Sequence, residues 1–276
     1  MKRVSWDMTR RCNYQCPHCW YASTWEIERG KVLEADPEQW IAHWSDWYGR
    51  YGGMNIIVSG GEPFMQEGFV RILEGITPMH RVDIITNGAG IPDDFIARVN
   101  LTNVSLSISF YPYLVDDAKV MARVRECISK GIRISVSYIG YPHPKQWDFD
   151  RIRRYRQQFK EMGCTDFTIT SYWGNFEGHA YPDAYTDEDR RFMMDYSDDA
   201  PRLTLSAKME SSRGRLCWAG GTCAVINPRG EILRCGASEV VIGRVFDPQF
   251  RLGAEPEACL VDYCKCGEYD TALSVA

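Results

Sequence analysis

Residues 12–19, Cys-Asn-Tyr-Gln-Cys-Pro-His-Cys, place three thiols within one short loop near the start of the chain. The preceding segment, Val4-Ser5-Trp6-Asp7-Met8, predicts a first strand at 4–8. The spacing Cys-x3-Cys-x2-Cys lets one loop aim three thiolates at a single point, as cysteine-ligated iron-sulfur clusters require. Structural zinc usually takes four protein ligands, whereas a cubane on three thiolates keeps one iron open. The spacing alone is compatible with a zinc or redox site, but the count of three favours a cluster with an open iron.

A second motif lies downstream, where a buried-strand pattern runs into two glycines, an acid and a proline. The strand is Ile56-Ile57-Val58-Ser59, and the motif is Gly60-Gly61-Glu62-Pro63. Glycines let a backbone approach a ligand closely, and an anionic or carbonyl acceptor suits an ammonium group. Alone this sequence is an ordinary turn, but its place after a strand and after the three cysteines favours a ligand site.

The two motifs together resemble those of the radical S-adenosylmethionine (SAM) enzymes, in which an aromatic residue or histidine precedes the third cysteine. His18 has that place here and is assigned to the cofactor site. The resemblance implies a [4Fe-4S] cluster on Cys12, Cys16 and Cys19, with SAM chelating the fourth iron. It also implies that residues 60–63 receive the SAM amino group. In the family, an electron from the cluster cleaves SAM to methionine and a 5′-deoxyadenosyl radical, which takes hydrogen from the substrate.

Length and composition indicate an ordinary globular protein. The chain has 276 residues, of which 45% are hydrophobic and 25% charged, and this size suits one large or two modest domains. A net charge of −5 argues against nucleic acid or an anionic membrane as partners. No apolar run has the length of a membrane span, and no apolar signal region follows Met1. We therefore expect a cytoplasmic protein, whose eleven cysteines favour metal or cluster ligation over disulfides.

Strand and helix patterns alternate through the first part of the chain. Strands are predicted at 4–8, 56–59, 82–86, 104–108, 132–138 and 166–170. Helices are predicted from Asp36-Pro37 onward, near 68–75, and at 93–99, 116–130 and 148–162. Trp40, Trp44 and Trp47 have the spacing of a core-facing stripe in the first helix. This α/β order indicates parallel βαβ units. The resemblance implies a partial (β/α)6 TIM-like barrel, whose chemistry lies at the carboxyl ends of the strands.

Several candidate residues lie at or near those strand ends. Asn87 ends the third strand, and Ser107 shares one face of the fourth with its neighbouring serines. By the resemblance, Ser107 contacts the SAM ribose or carboxylate and Asn87 lines the same cleft. The alternatives are an Asn-Gly turn and serines that only satisfy backbone groups. A loop at 171–179 is the predicted substrate wall, or else a solvated loop, and a loop at 20–25 is a candidate cover for the cofactor. The substrate candidates are Tyr172, Trp173, Asn175 and Glu177.

The composition changes after residue 180, and we expect a core domain at 1–198 and a small second domain at 199–276. Residues 225–235 predict a β-hairpin. Cys217 and Cys235 form a Cys-x12-Gly-x4-Cys pattern that resembles the start of the twitch and SPASM extensions of radical SAM enzymes. The resemblance implies a second, auxiliary [4Fe-4S] cluster in a hairpin-containing iron-sulfur domain. Its expected ligands are Cys217, Cys235, Cys264 and Cys266, with Cys259 as an alternative. Zinc is the other possible occupant.

Three further cysteines need separate interpretation. Cys127 and Cys164 have the pattern of packing residues, since free cysteine is often buried. Cys223 lies beside the hairpin, outside the expected ligand set. It is either an inert core residue or a hydrogen-atom donor to a substrate radical, as in radical SAM epimerases.

The function expected from these motifs is hydrogen abstraction from a substrate, with net oxidation or crosslinking assisted by the auxiliary cluster. The substrate is a sugar or aminocyclitol, or a ribosomal peptide. The short segment before Cys12 leaves no room for a peptide-recognition domain, which favours a small molecule or a peptide delivered by a separate protein. A reductase such as flavodoxin or ferredoxin would supply electrons. The alternatives are a redox-neutral epimerase and, in another class, a non-catalytic iron-sulfur carrier or zinc-stabilised binding protein.

Overall fold

Alternating strands and helices build one large sheet with helices packed on one face. The computed structural model describes residues 1–19, 21, 30–196, 211–262 and 264. The strands are β1 (Arg3–Thr9), β2 (Asn55–Gly60), β3 (Arg81–Thr86), β4 (Val104–Phe110), β5 (Arg133–Gly140), β6 (Asp166–Ser171), β7 (Gly174–Phe176), β8 (His179–Tyr181), β9 (Leu216–Cys217), β10 (Cys223–Ile226), β11 (Glu231–Cys235), β12 (Ser238–Arg244) and β13 (Glu257–Ala258). The helices are α1 (Pro37–Tyr51), α2 (Phe69–Ile76), α3 (Asp93–Arg98), α4 (Asp117–Ser129), α5 (Phe149–Met162) and α6 (Asp187–Asp195). The six strands and five helices predicted for the first part of the chain are confirmed close to their predicted limits.

The first six strands pair in chain order, and every pair is parallel. Apolar residues of these strands face the helices and are buried, whereas the residues between them are mostly polar and partly exposed; Ile57, Ile85 and Ile139 are the apolar exceptions. Along β4, for example, Val104, Leu106 and Ile108 are buried, and Ser105 and Ser107 are half-buried. One face of the sheet is therefore a hydrophobic core, and the other is the polar interior of a partial α/β barrel.

Helix α1 begins as the sequence predicts. The Asp36 carboxylate accepts a hydrogen bond from the backbone of Gln39, whose side chain in turn accepts from the Asp36 backbone, so the two form a capping box. The expected tryptophan stripe is buried. Trp40 and Trp44 pack against Trp6 of β1, with ring centroids 4.4 Å and 5.5 Å apart. Burial of these large rings fixes the helix against the first strand.

Three of the C-terminal strands, β10, β11 and β12, continue the same sheet, and β9 pairs with β13 in a separate two-stranded sheet. Strand β10 runs parallel to β1, with Arg3 opposite Cys223. Strand β11 pairs with both β10 and β12, and each of these pairs is antiparallel. The hairpin predicted at 225–235 is confirmed, since the Gly230 N–H donates to the Asn227 carbonyl at its turn, 2.9 Å away. Arg50 of α1 also contacts the segment that follows β12, because its Nη1 donates to the Phe250 carbonyl at 2.9 Å. The C-terminal strands and the barrel strands therefore share one body.

Some expectations lie outside the described residues. These are the boundary between 198 and 199, most of the loop at 20–25, and Cys266. Among the described residues, the last helix of the core part of the chain is α6, which has three acidic residues in its first turn and ends at Asp195. None of the helices in the described ranges combines the length and apolar character needed to span a bilayer.

Candidate functional site

The three cysteines of the 12–19 segment lie in a half-buried loop that leaves the carboxyl end of β1. The Cys19 N–H donates to the Cys16 carbonyl at 3.0 Å, and the Tyr14 N–H donates to Cys12 Sγ at 3.4 Å. Burial raises the pKa of Cys12, and it raises the pKa of Cys16 to about 12, with the neighbouring thiols adding to both shifts. Cys12 and Cys16 would therefore ionise readily only beside a strong positive charge, such as a metal centre provides.

A clamp that the sequence did not indicate ties the end of this loop to its start. The Tyr21 hydroxyl donates to Asp7 Oδ2 at 3.1 Å. The Arg10 guanidinium lies 3.8 Å from the centre of the Tyr21 ring and donates to Asp7 Oδ1 at 2.6 Å. Arg10 is only 4% exposed. This buried clamp holds both ends of the cysteine loop to β1. The spacing of Asp7, Arg10 and Tyr21 in the sequence has no pattern that would have predicted it.

The paired glycines bring the end of β2 against the start of the cysteine loop. The Gly61 N–H donates to the Thr9 carbonyl and the Glu62 N–H to the Arg11 carbonyl, both at 2.7 Å. A Cβ on Gly61 would lie 2.2 Å from the Arg11 oxygen, and one on Gly60 would lie 2.5 Å from the Thr9 oxygen. The close approach that requires glycine here is to the chain's own backbone.

Glu62 is fully buried and bonded to protein donors. Its Oε1 accepts from Thr86 Oγ1 at 2.8 Å and from the Phe64 N–H at 3.2 Å. Its Oε2 accepts from the Asn87 N–H at 2.8 Å. Burial raises the pKa of this carboxyl, and the three donors oppose that rise. Three donors near the end of β3 thus occupy most of the acceptor positions of the carboxylate, and Pro63 beside it is also buried. The contact of residues 60–63, Glu62 included, with the SAM ammonium stays a prediction.

Asn87 follows β3 and lies against the cysteine loop. Its Oδ1 accepts from the Ala89 N–H at 2.9 Å. Its Nδ2 donates to Asn13 Oδ1 at 2.7 Å and lies 4.0 Å from Cys12 Sγ. The predicted position of Asn87 in the cleft of the cysteine motif agrees with these contacts.

His18 packs between two tyrosines that the sequence did not single out. Its ring centroid lies 4.6 Å from that of Tyr111 and 4.8 Å from that of Tyr141. Burial lowers the pKa of His18 to about 4. In the described part of the chain neither ring nitrogen has a hydrogen-bond partner. Tyr111 directly follows β4, and Tyr141 directly follows β5. Their place after two strands could have identified them as site residues, because the carboxyl ends of parallel strands meet at one edge of the sheet.

The polar face of the barrel carries a row of hydroxyl groups. Ser107 Oγ lies 3.0 Å from Ser135 Oγ, and Ser137 Oγ lies 2.6 Å from Thr170 Oγ1. Ser105 donates to Asp83 on the same face. Ser107 is therefore inside the barrel as expected, where it is bonded to a neighbouring strand.

The expected substrate loop at 171–179 contains a short hairpin made by β7 and β8, and its role as a substrate wall stays a prediction. Glu177, with φ +49°, and Gly178 form the turn, and left-handed backbone at both turn residues is typical of tight hairpins. Tyr172 is 7% exposed, and its hydroxyl donates to the Asn175 carbonyl at 3.1 Å. Trp173 is 48% exposed. Of the four substrate candidates, only Tyr172 is turned away from solvent.

The C-terminal cysteines lie at the other end of the sheet. Cys217, Cys223 and Cys259 are buried in one cluster, and Cys235 packs against it. Cys223 is opposite Arg3, at the amino end of β1. Cys264 is half-buried. Within the described ranges, no three His, Cys, Asp or Glu side chains are already gathered at metal-binding distance.

The donor chemistry of the 12–19 loop nevertheless fits a cluster. Soft thiolates are the ligands of iron-sulfur clusters, and N–H groups that point at the thiolates are the usual surroundings. Cys12 has the Tyr14 N–H and the Asn87 amide in those positions. The groups of this site all follow the carboxyl ends of neighbouring parallel strands. They are the cysteine loop after β1, Glu62 after β2, Asn87 after β3, and the two tyrosines beside His18 after β4 and β5.

Several known proteins are similar to this chain. The chain is 26% identical over 147 residues to the pre-heme d1 synthase of Dinoroseobacter shibae, covering 49% of this chain and 35% of that protein. It is 22% identical over 269 residues to the antilisterial bacteriocin subtilosin biosynthesis protein AlbA of Bacillus subtilis, covering 90% of this chain and 58% of that protein. The solved structure of Streptococcus suis SuiB bound to precursor peptide SuiA has the same fold, with a TM-score of 0.62 and 15% identity over 87% of this chain and 62% of that chain.

The chain thus spans less than two-thirds of the length of each of these three proteins. The shared fold confirms the predicted partial α/β barrel. Residues 6–155 match the family model described as "Radical SAM superfamily", which is more than half of the chain. The protein is therefore an enzyme of the radical SAM superfamily.

Proposed function

We propose that the chain binds a [4Fe-4S] cluster through Cys12, Cys16 and Cys19, binds SAM at the remaining iron, and removes hydrogen from a substrate held in the barrel. The observation that carries this proposal is the single half-buried loop of three thiols at the carboxyl ends of the strands. When bound, the cluster and SAM supply one-electron SAM cleavage and hydrogen abstraction. A one-electron donor such as flavodoxin or ferredoxin would feed them.

The chain's own residues position the cofactors. The clamp of Asp7, Arg10 and Tyr21 fixes the loop, and the bonds of Gly61 and Glu62 hold β2 against it. We assign the backbone acceptors of residues 60–63 to the SAM ammonium, because the Glu62 carboxylate is already used by three donors. Ser107, inside the barrel, is assigned to the SAM ribose or carboxylate. His18 and the two tyrosines against it exclude water beside the loop.

The substrate we propose is a peptide. Two of the similar proteins support this choice: AlbA is named for subtilosin biosynthesis, and SuiB was solved with a precursor peptide. A hydroxyl-lined barrel interior can hydrogen-bond a peptide backbone. The second candidate is a polar small molecule, because the same hydroxyls suit a sugar and pre-heme d1 synthase is named for a cofactor precursor. A peptide substrate predicts a short precursor-peptide gene beside the gene of this protein. Incubation of that peptide with the reconstituted protein should change its mass, which mass spectrometry detects.

We also propose an auxiliary [4Fe-4S] cluster held by the C-terminal cysteines. Cys217 and Cys235 retain their expected roles. The burial of Cys259 beside Cys217 supports Cys259 as the third ligand, with Cys264 as the fourth. Zinc on the same thiols is the alternative. Metal analysis separates the two, because an auxiliary cluster adds about four irons per chain and zinc adds none.

The position of Cys223 favours an oxidative outcome over epimerisation. Cys223 is paired with Arg3 in the sheet register, and the cysteine loop leaves β1 after Thr9. Six residue steps of a strand span about 20 Å. A thiol that donates hydrogen must touch the substrate radical near the SAM site, so we propose that Cys223 packs within the auxiliary module instead.

The test is cluster content and SAM cleavage under anaerobic conditions. The reconstituted protein should hold about eight irons and eight sulfides. Replacing Cys12, Cys16 and Cys19 together by Ala should remove about half of both and abolish reductive SAM cleavage. The matched control is Cys164→Ala, at a half-buried cysteine outside both ligand sets, which should keep both. A triple variant that still cleaves SAM would contradict the proposal, and a protein that binds clusters but never cleaves SAM would be a carrier.

A further inference from the structure

The side-chain amide of Asn87 is held in one orientation by its neighbours. Its Oδ1 accepts from the Ala89 N–H at 2.9 Å. An NH2 group in that place would face another donor, so the hydrogen-bond pattern assigns the nitrogen to the opposite side. Asn87 is 8% exposed. Both hydrogens of Nδ2 therefore point toward the cysteine loop.

Those two hydrogens have two acceptors within reach. Nδ2 lies 2.7 Å from Asn13 Oδ1 and 4.0 Å from Cys12 Sγ. A protonated Cys12 thiol can itself donate to Asn13 Oδ1, which is 3.9 Å away. A thiolate has no hydrogen to donate and accepts more strongly. The Nδ2 hydrogen that is not bonded to Asn13 is thus the one within reach of Cys12 Sγ.

Glu62 holds Asn87 and the start of the cysteine loop in this arrangement. Its carboxylate accepts from the Asn87 backbone N–H at 2.8 Å, and its own backbone N–H donates to the Arg11 carbonyl, next to Cys12, at 2.7 Å. Glu62 is therefore hydrogen-bonded both to Asn87, which supplies the amide donor, and to Arg11, the neighbour of Cys12. The distance between them is set by a fully buried side chain and not by two independent loops.

We propose that Asn87 is a positioning residue that raises the reduction potential of the SAM-binding cluster by donating an N–H to Cys12, and that Glu62 holds it there. The proposal rests on the proposed function, since it requires Cys12 to be a cluster ligand. Hydrogen bonds to ligand sulfur stabilise the added electron of a reduced iron-sulfur cluster, and they are one of the means by which proteins set its potential. The Tyr14 N–H, 3.4 Å from Cys12 Sγ, is a second donor, but it belongs to the loop itself. Asn87 is the side-chain donor that a substitution can remove.

The experiment is a redox titration, followed by electron paramagnetic resonance, of the cluster that the triple cysteine variant lacks. It is performed without SAM, so that no change can come from contact between Asn87 and SAM. Asn87→Asp keeps the shape but replaces the donor by an acceptor, and Asn87→Ala removes it. Both should shift this cluster's potential to more negative values and leave that of the auxiliary cluster unchanged. Asn103→Asp is the matched control, because Asn103 donates to the Thr77 carbonyl away from the site, and it should shift neither potential.

A third variant tests the same bond with the amide still present. Asn13→Ala removes the acceptor that holds Nδ2 at 2.7 Å, so the Asn87 amide can tilt and bring its other N–H closer to Cys12, and the potential should shift to more positive values. This result is measurable even if an Asn87 variant fails to load its cluster. Unchanged potentials in fully loaded Asn87 variants, or a negative shift in Asn13→Ala, would overturn the inference. Absence of any cluster that depends on Cys12 in the wild-type protein would instead overturn the proposed function.

Discussion

At the residue scale, the glycine pair has a packing role that the sequence did not indicate. The sequence indicated that Gly60 and Gly61 admit a ligand, but their missing side chains first admit the backbone of Thr9 and Arg11. The pair therefore acts on the cysteine loop before any cofactor binds. Whether residues 60–63 also contact SAM remains a prediction.

Gly61→Ala tests this packing role. The added Cβ would lie 2.2 Å from the Arg11 carbonyl oxygen, so the start of the cysteine loop must shift. We expect the SAM-binding cluster to be lost or poorly loaded, with about four fewer irons per chain and a lower denaturation temperature. Gly49→Ala is the control, since nothing lies within 4 Å of its Cβ position in α1. That variant should load fully and gain roughly 0.5–1 kcal/mol of helix stability. Full loading of Gly61→Ala would show that the loop tolerates the shift.

At the element scale, α1 marks the limit of what the sequence could predict. Its capping residue, its first turn and its tryptophan stripe all follow from local spacing. Its second contact does not, because Phe246 and Phe250 pack against α1 from a distant part of the chain. Their ring centroids lie 5.0 Å from Trp40 and 6.0 Å from Trp47, respectively. Local patterns record which face of a helix is apolar, but not which distant segment covers it.

The same limit applies to the site. The cysteines, the glycine motif and Asn87 were predictable because each has a spacing or a place at a strand end. The clamp of Asp7, Arg10 and Tyr21 was not, since it depends on the path of a loop. Likewise, the pairing of β10 with β1 depends on register between strands far apart in the chain, and no local signal encodes that register.

His43 of α1 gives a pH prediction. Its ring is enclosed by Trp44, Trp47 and Phe246, and burial lowers the pKa of His43 to about 4 despite the nearby charge of Asp46. The folded protein thus prefers the neutral ring, while the unfolded chain takes up a proton near pH 6.5. Stability from this group is complete above that pH and is lost as the pH falls toward 4. The loss at pH 5.5 should be about 1 kcal/mol.

The measurement is the difference in urea midpoint between pH 8 and pH 5.5, under anaerobic conditions. His43→Leu should reduce this difference, because it removes the group that protonates on unfolding. His179→Leu, at an exposed histidine on β8, should retain the wild-type difference. An identical pH dependence in wild type and His43→Leu would mean that the ring is solvated in the folded state.

At the scale of the whole molecule, the two cysteine groups occupy opposite ends of one sheet. The 12–19 loop follows the carboxyl end of β1, and Cys223 lies beside its amino end. A substrate in the polar interior would therefore have the SAM site at one end and the auxiliary module at the other. Such an arrangement suits removal of an electron from a substrate radical better than return of a hydrogen atom, since electrons cross protein over distances at which hydrogen atoms do not.

Cys223→Ala tests this division of roles. In deuterium oxide, product formed by the wild type should carry no solvent deuterium at the reacting carbon, because a thiol that exchanges with solvent is not the hydrogen source. The variant should keep its iron content and its turnover, since we assign the auxiliary ligands to other cysteines. Cys127→Ala, at a buried cysteine of α4, is the matched control for loss of a packing thiol. Solvent deuterium that appears in the wild-type product and disappears with Cys223→Ala would instead make the protein an epimerase. That result would also require the reacting carbon to come within contact of both the SAM site and Cys223.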